Sequence, residues 1–467
     1  MFEKMKYNTL YKAMASGFIG GLCLVSCTLD IPLEDQYSDP DAVATVDNAR
    51  SLLTSAYLAV PHNEFDFAVL GPDYCPTSLT GKDADLKNLY NWQDNTISNI
   101  SQNIWLNYYN VIATCNVLQE RFVFVKTKNE AEEKELECVK AESMALEAMC
   151  YFNLLRLFAP AYDINPEADG IILKNRIGVE FPKRSSLKDC VAFIRTLLKE
   201  AVKVKNDPDR NGWLSQKAVN YLLAELELYA GNYEEAARYA EEVLDHCDGS
   251  FFDAASYAHI WEQSSCDERI FAFSVAAPQF VSIQYDSEQG DYFAMSPDVE
   301  FADTDYRKDY TLYPFAMSGQ LVNLMGKYNL LNKDGKTTGY LNVMRYAGAY
   351  YIAAEAYSHL GEREKAISLV NEYLRYCGAE LLSENLQGSD LTNAIVRAKF
   401  IEFAGEGVAY FDCKRLHSQP LIRWNKFGKM ATSKIEATDY RWTFPIPASE
   451  YKNNKNVTQN TGWPLNR

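Results

Sequence analysis

The residue with the clearest chemistry is Cys27, the last of the run Leu24-Val25-Ser26-Cys27. It closes an apolar segment, Ala13 to Val25, that follows the basic residues Lys4, Lys6 and Lys12. A segment of that length behind a positive leader reads as a cleaved secretory signal, too short to cross a bilayer as a helix. A thiol at its end is positioned to be acylated, and more than one acyl chain, at about 0.8 kcal/mol per buried CH₂, makes a stable membrane anchor. Other reactive patterns are missing. His62, His246, His259, His359 and His417 are dispersed, with no His-Glu-x-x-His helix, no Gly-x-Ser-x-Gly elbow and no glycine loop to cradle phosphate. A glycosidase needs only two carboxylates roughly 5 to 10 Å apart, so a surface glycan-degrading enzyme stays open as an alternative. Cys75, Cys115, Cys138, Cys150, Cys190, Cys247, Cys266, Cys377 and Cys413 are scattered through apolar stretches without Cys-x-x-Cys pairs. They are expected as buried thiols, with no metal and no cofactor.

The elements that must position any site are helical. With 467 residues, 47% of them hydrophobic, the chain is long enough for a large core. A formal charge of -17, which deepens on loss of a signal holding three lysines and one glutamate, argues against nucleic acid and favours a neutral ligand. Ala224, Gly231 and Ala236 have the same spacing as Ala354, Gly361 and Ala366, each set within a helix, glycine turn, helix pattern. This is the spacing of TPR-like pairs, expected near 214–247 and 343–377, in which small residues let antiparallel helices approach. Apolar periodicity predicts further helices at 47–60, 101–121, 130–158, 187–204 and 392–405, and an all-α body. Two stretches break the helical period. One, 61–100, is rich in Asn, Asp, Pro and Gly; the other, 248–340, has a strand at Arg269 to Ala276. Ordered excursions of that length are commonly functional, and the 31 tyrosines of the chain suit either a core or a sugar-binding surface.

The carboxy-terminal run Phe444-Pro445-Ile446-Pro447, Glu450, Asn454, Gln459-Asn460 and Gly462-Trp463 resembles the signature of the SusD/RagB nutrient-binding outer-membrane lipoproteins. Glu402-Phe403, Glu406-Gly407, Phe411-Asp412, Arg345-Tyr346, Ala353 to Ala356, and Trp105, Tyr109 and Asn116 resemble further parts of it. Ala398, Ala409 and Gly348 stand where the family has charged residues, and Lys455 and Thr461 replace prolines. Leu24 to Cys27 is similar to the bacterial lipobox, and Asp30, Glu34 and Asp35 resemble an acidic export tag to the cell exterior.

The resemblance implies a SusD-like body with TPR-like helix pairs plus an irregular, loop-rich lobe with minor strands. Its organisation would be a lipoprotein signal at 1–26, an acidic tether at 27–46 after lipidated Cys27, and one domain at 47–467. It implies a protein that binds a glycan or other nutrient without turnover and hands it to a SusC-like TonB-dependent β-barrel in the outer membrane. A non-binding assembly scaffold is the third reading. By position in the family, Asp73, Tyr74, Tyr90, Asn91 and Trp92 are the first ligand candidates, with Tyr285, Tyr292 and Tyr306 second. Trp92 stands out because its neighbours are almost all polar and offer an indole little local core. Glu402, Glu406, Asp412 and Arg415 are expected as a structural ion network, and Pro445 to Gly462 as a clamp on the helical body.

Overall fold

The computed structural model describes residues 43–81, 84–174, 176–208, 212–245, 247, 249, 252–262, 266–274, 293–329 and 340–465. The signal, Cys27, most of the tether, Tyr285 and Tyr292 lie outside the described residues. Fifteen α-helices carry the fold within them, with four two-stranded antiparallel sheets. The all-α architecture with minor strands is therefore present as expected from the helical period.

Helices α1 (Val46–Leu58), α2 (Glu64–Leu70), α3 (Ala84–Tyr90), α4 (Asp94–Arg121) and α5 (Glu130–Phe158) form the first part of the body. α5 has the bounds its sequence period predicts. Asn129 caps it by accepting the Glu132 N–H, three glutamates occupy its first turn, and Arg156 lies in its last, matching the helix dipole at both ends. α4 starts earlier than predicted, at Asp94, because its polar first turns still bury Thr96, Ile97 and Ser101. The stretch 61–100 is likewise not the loop its composition suggested. Its Asn, Pro and Gly residues punctuate short helices, and α2 buries Phe65, Phe67, Ala68, Val69 and Leu70. α6 (Leu187–Ala201), capped by Ser186, packs on α5, so these two helices do form a pair.

α7 (Gln216–Tyr229) and α8 (Tyr233–Leu244) form the first repeat. The second follows α9 (Ala254–Glu262) and α10 (Arg307–Thr311) in the chain and consists of α11 (Tyr346–His359) and α12 (Arg363–Cys377). Ala224, Ala236, Ala354 and Ala366 are all fully buried, and Gly231 and Gly361 turn the chain at φ +75 and +79°. α8 also packs against α11, which stacks one pair on the other. Gly348 is a close-approach point: a Cβ there would run into the Tyr221 hydroxyl of α7. α13 (Gly388–Glu402), α14 (Ala409–Leu416) and α15 (Ala448–Asn453) complete the helices, and one hydrophobic core runs continuously from Val43 to Trp463.

The segment after α14 returns as a clamp. Phe444 N–H and the Lys414 ammonium both donate to the Leu157 carbonyl at the end of α5, at 3.0 Å each. Asn460 Nδ2 donates to Phe158 O at 2.9 Å and Phe444 O at 2.7 Å, while Gln459 brackets the Ile446 backbone at 2.8 and 3.0 Å. The strands β1 (Tyr74–Pro76), β2 (Arg269–Ser274), β3 (Phe293–Met295), β4 (Leu312–Met317), β5 (Gln320–Met325), β6 (Tyr340–Arg345), β7 (Leu421–Trp424) and β8 (Ala431–Ile435) pair as β1–β3, β2–β6, β4–β5 and β7–β8.

Candidate functional site

The acidic and basic signature residues meet in the interior. Arg345, at the end of β6, contacts Glu268 Oε1 at 2.7 Å, Glu402 Oε1 at 2.8 Å and Glu406 Oε1 at 2.9 Å. Arg307 joins Glu402 at 2.9 Å to Asp305 at 2.7 Å, and Lys327 donates to Glu402 O at 2.6 Å and Glu406 Oε1 at 2.5 Å. Burial alone would push the Glu402 carboxyl up, but Arg345, Arg307 and Lys327 together hold it down at about 2. Glu268 has one such cation, and burial pushes it up to about 7. Beside this network, Arg415 grips Glu355 at 2.7 and 3.0 Å and Asp412 at 3.0 Å, with Lys399 on Asp412 at 2.8 Å. Every cation here already has its carboxylate, so these side chains hold helix ends and turns together. A central cavity of about 130 Å³ borders both networks, and none of the sequence-predicted site residues lines it.

Four of the sequence-predicted ligand residues are core residues. Trp92, fully buried, donates its indole N–H to Leu70 O at 3.0 Å and meets Trp442 edge-on at 4.6 Å. The expectation that it lacks a local core is corrected: its core comes from residues some 350 positions away, which its polar neighbours could not reveal. Asp73 is also fully buried; its Oδ1 accepts the Gly405 N–H at 2.7 Å, and burial pushes its carboxyl up to about 7. Tyr74 points its hydroxyl at Met325 Sδ, 3.3 Å away, and packs on Phe65 and Phe293. Tyr90 lies under the Arg423 guanidinium, 4.5 Å from its ring, and accepts the Trp424 N–H at 2.9 Å. Asn91 is exposed, and Tyr306 is half-buried against Tyr257.

What these residues support is a second, smaller apolar cluster at the surface of the irregular lobe. Cys75, Ala294, Met317, Val322 and Leu324 form its floor, with Leu79, Tyr313, Phe315, Trp424 and Phe427 half-buried around them. The two sequence excursions meet here, because β1 pairs with β3, Tyr74 opposite Met295 and Cys75 opposite Ala294. The β4–β5 hairpin adds Tyr313 and Phe315. Its turn, Ser318-Gly319, has both residues at positive φ, 52 and 74°, which suits the right-handed twist of paired strands. Ser318 Oγ lies 2.9 Å from Ser78 Oγ.

The β7–β8 hairpin supplies Trp424 and Phe427. Arg423 anchors it: fully buried, the guanidinium donates to Gly71 O at 2.8 Å and to Leu70 O at the carboxy-terminal end of α2, where the helix dipole favours a cation. Trp424 Nε1 donates to Asp298 Oδ2 at 3.3 Å, and the same carboxylate accepts Ser296 Oγ at 3.3 Å. Phe427 is held at φ +66°, a conformation costly for a bulky L-residue, and Gly428 beside it packs against Pro297 and Cys75. Partly open aromatic faces bordered by hydroxyls and a carboxylate can stack on the apolar side of a sugar ring and accept its hydroxyls. Sequence reasoning missed Trp424 and Phe427. The only local signal was an alternating Leu-Ile-Arg-Trp run ending in a turn, which says nothing about which lobe the hairpin joins.

Among the described residues no cluster of His, Cys, Asp or Glu could hold a metal ion, the nine cysteines are free thiols, and no helix is long and apolar enough to cross a membrane. The sequence pattern of the family described as SusD matches residues 240–463, and that described as "Starch-binding associating with outer membrane" matches residues 35–224. Between them they span most of the chain, which belongs to the SusD/RagB family. In fold it is similar to a SusD superfamily protein of Bacteroides thetaiotaomicron VPI-5482, at 22% identity and TM-score 0.76 over 89% of this chain and 99% of that one. A SusD-like carbohydrate binding protein of Bacteroides vulgatus ATCC 8482 superposes with TM-score 0.74 at 20% identity, covering 89% and 97%. A SusD superfamily protein of Bacteroides fragilis gives 0.71 at 20%, covering 90% and 100%. No curated protein matches the sequence.

Proposed function

We propose that this protein is a surface lipoprotein, anchored through Cys27 in the outer membrane and facing the cell exterior. It binds a glycan on the aromatic face of Tyr313, Phe315, Trp424 and Phe427, and hands it to a SusC-like TonB-dependent β-barrel without catalysing a reaction on it. The observation that carries the reading is the convergence of three segments distant in sequence, 74–80, 293–325 and 421–435, on one half-open aromatic cluster. A family description that speaks of starch binding and outer-membrane association supports it. In this reading Asp73, Tyr74, Tyr90 and Trp92 are positioning residues beneath the face, since Tyr90 holds the Trp424 backbone and Asp73 ties β1 to the 403–407 turn. Tyr285 and Tyr292 remain ligand candidates on sequence grounds. Asn91 and Tyr306 likewise remain candidates on sequence grounds.

Affinity electrophoresis of the protein through gels containing soluble polysaccharides tests the reading. Retardation by at least one glycan is expected, abolished in Trp424→Ala and retained in a surface control such as Leu58→Ser. Release of reducing ends from the bound glycan would replace binding by catalysis, and retardation unchanged in Trp424→Ala would move the site elsewhere. Isolation of the acylated protein with a large outer-membrane barrel is the expected outcome for the partner.

A further inference from the structure

We infer that the ligand of the aromatic face is an acidic glycan, one that carries carboxylate or sulfate groups; the inference rests on the binding reading above. Lys426 and Lys429 are both exposed and flank Phe427 and Gly428 in the β7–β8 turn. The turn holds them close together, because Asn425 accepts the Lys429 and Met430 N–H groups through its side chain, at 2.9 and 3.0 Å. Arg397, exposed on α13, donates to the Asp298 carbonyl, and the carboxylate of that same Asp298 accepts the Trp424 indole N–H. Three cations therefore border one aromatic face. None of the three has a carboxylate within 4.0 Å among the described residues, whereas Lys434 on the same hairpin is paired with Glu436 at 2.8 Å.

Among the described residues the carboxylates nearby offset only part of this charge. In the segments 74–81, 293–300, 312–325 and 421–435, the acidic residues are Asp298 and Glu300. Asp298 keeps its charge while accepting hydrogen bonds from Ser296 and Trp424, so these groups stand as three cations against two carboxylates, and the β4–β5 hairpin across the face carries no charged residue at all. The formal -17 of the whole chain favours a neutral ligand only if distant charges count. Potentials fall off over about 8 Å at physiological ionic strength, so the three cations and two carboxylates at the edge of the face weigh more in its local field than the remote charges do. Carboxylate and sulfate oxygens are suited to guanidinium and ammonium donors, while the sugar rings that carry them stack on Trp424 and Phe427.

The test titrates the protein with polygalacturonate (carboxylate only), dextran sulfate (sulfate only) and soluble starch (neutral) at 50 and 300 mM salt. The expected result is tighter binding of at least one polyanion than of starch, weakened at the higher salt. In Lys426→Gln/Lys429→Gln that binding should fall roughly tenfold, as two partly exposed ion pairs would predict, with unfolding midpoint unchanged. Trp424→Ala should remove it altogether. Starch binding that is lost in Trp424→Ala but unmoved in the lysine variant overturns the acidic class and leaves the glycan-binding reading standing. Polyanion binding that survives Trp424→Ala overturns the placement at this face, and absence of binding to any of the three overturns both readings.

Discussion

Trp92 and Trp424 show two ways in which this chain uses an indole. Trp92 has no exposed surface, lies against Trp442 and Tyr410, and fixes the end of α2 through its N–H to Leu70. Trp424 sits half-open on a hairpin, its N–H engaged by Asp298 at the edge of the lobe. Trp92 lies in the turn between α3 and α4 and Trp424 ends β7, and Arg423 braces both, lying 5.9 Å from the ring of Trp92 and 4.5 Å over Tyr90, which accepts the Trp424 N–H. The same contrast separates the two polar regions. The network around Glu402 is closed, each cation matched by carboxylates, and acts as structure; the cations around Trp424 have no carboxylate partner within 4.0 Å among the described residues.

The largest expected effect is in the closed network. Arg345→Ala strips the shared cation from Glu268, Glu402 and Glu406 and should destabilise the fold by about 3–5 kcal/mol, because buried carboxylates are left uncompensated. Chemical denaturation measures this, and a loss under about 1 kcal/mol would mean that the network is not the cornerstone described. Next, Trp92→Ala should cost roughly 3–5 kcal/mol as a buried large-to-small change. Trp424→Ala should cost less and abolish glycan binding; the reverse pattern would exchange the roles of the two indoles.

A smaller effect concerns pH. The Asp73 carboxyl is pushed up to about 7 by burial, whereas an unfolded aspartate titrates near 4. The folded state therefore holds a proton that the unfolded state releases, so this contribution to stability is fully present below about 4 and is lost as pH rises to about 7. Glu268, also pushed to about 7, adds a contribution of the same sign. Asp73→Asn should flatten the decline in unfolding free energy between about pH 4 and 7 without abolishing it. A slope identical to the parent protein would remove Asp73 as a source. The smallest effect is at Phe427, where glycine relieves a left-handed backbone that costs roughly 1–2 kcal/mol but removes a ring from the cluster. Phe427→Gly should leave the unfolding midpoint nearly unchanged and weaken glycan binding, which calorimetry on one preparation separates.

Much of the body is legible along the chain. The α5 helix announces itself by its cap, its acidic first turn and its period, and the alanine and glycine spacing of the two helix pairs reports a close approach that their burial bears out. The ionic role of Glu402, Glu406, Asp412 and Arg415 follows from charged residues set against apolar faces, and the structure pairs each of them. Local composition misled in 61–100, where Asn, Pro and Gly end short helices that the core then accepts.

The sequence by itself thus determines which segments are helices, which of their faces are buried and which charges must find partners, since these depend on periodicity and on neighbours a few residues away. Only the tertiary structure decides which aromatic rings stay open. Trp92 is buried by Trp442 and Tyr410, and Trp424 is left at the edge because Arg423 draws its hairpin onto α2. Burial of a side chain is set by what lands on it, and here what lands comes from hundreds of residues away.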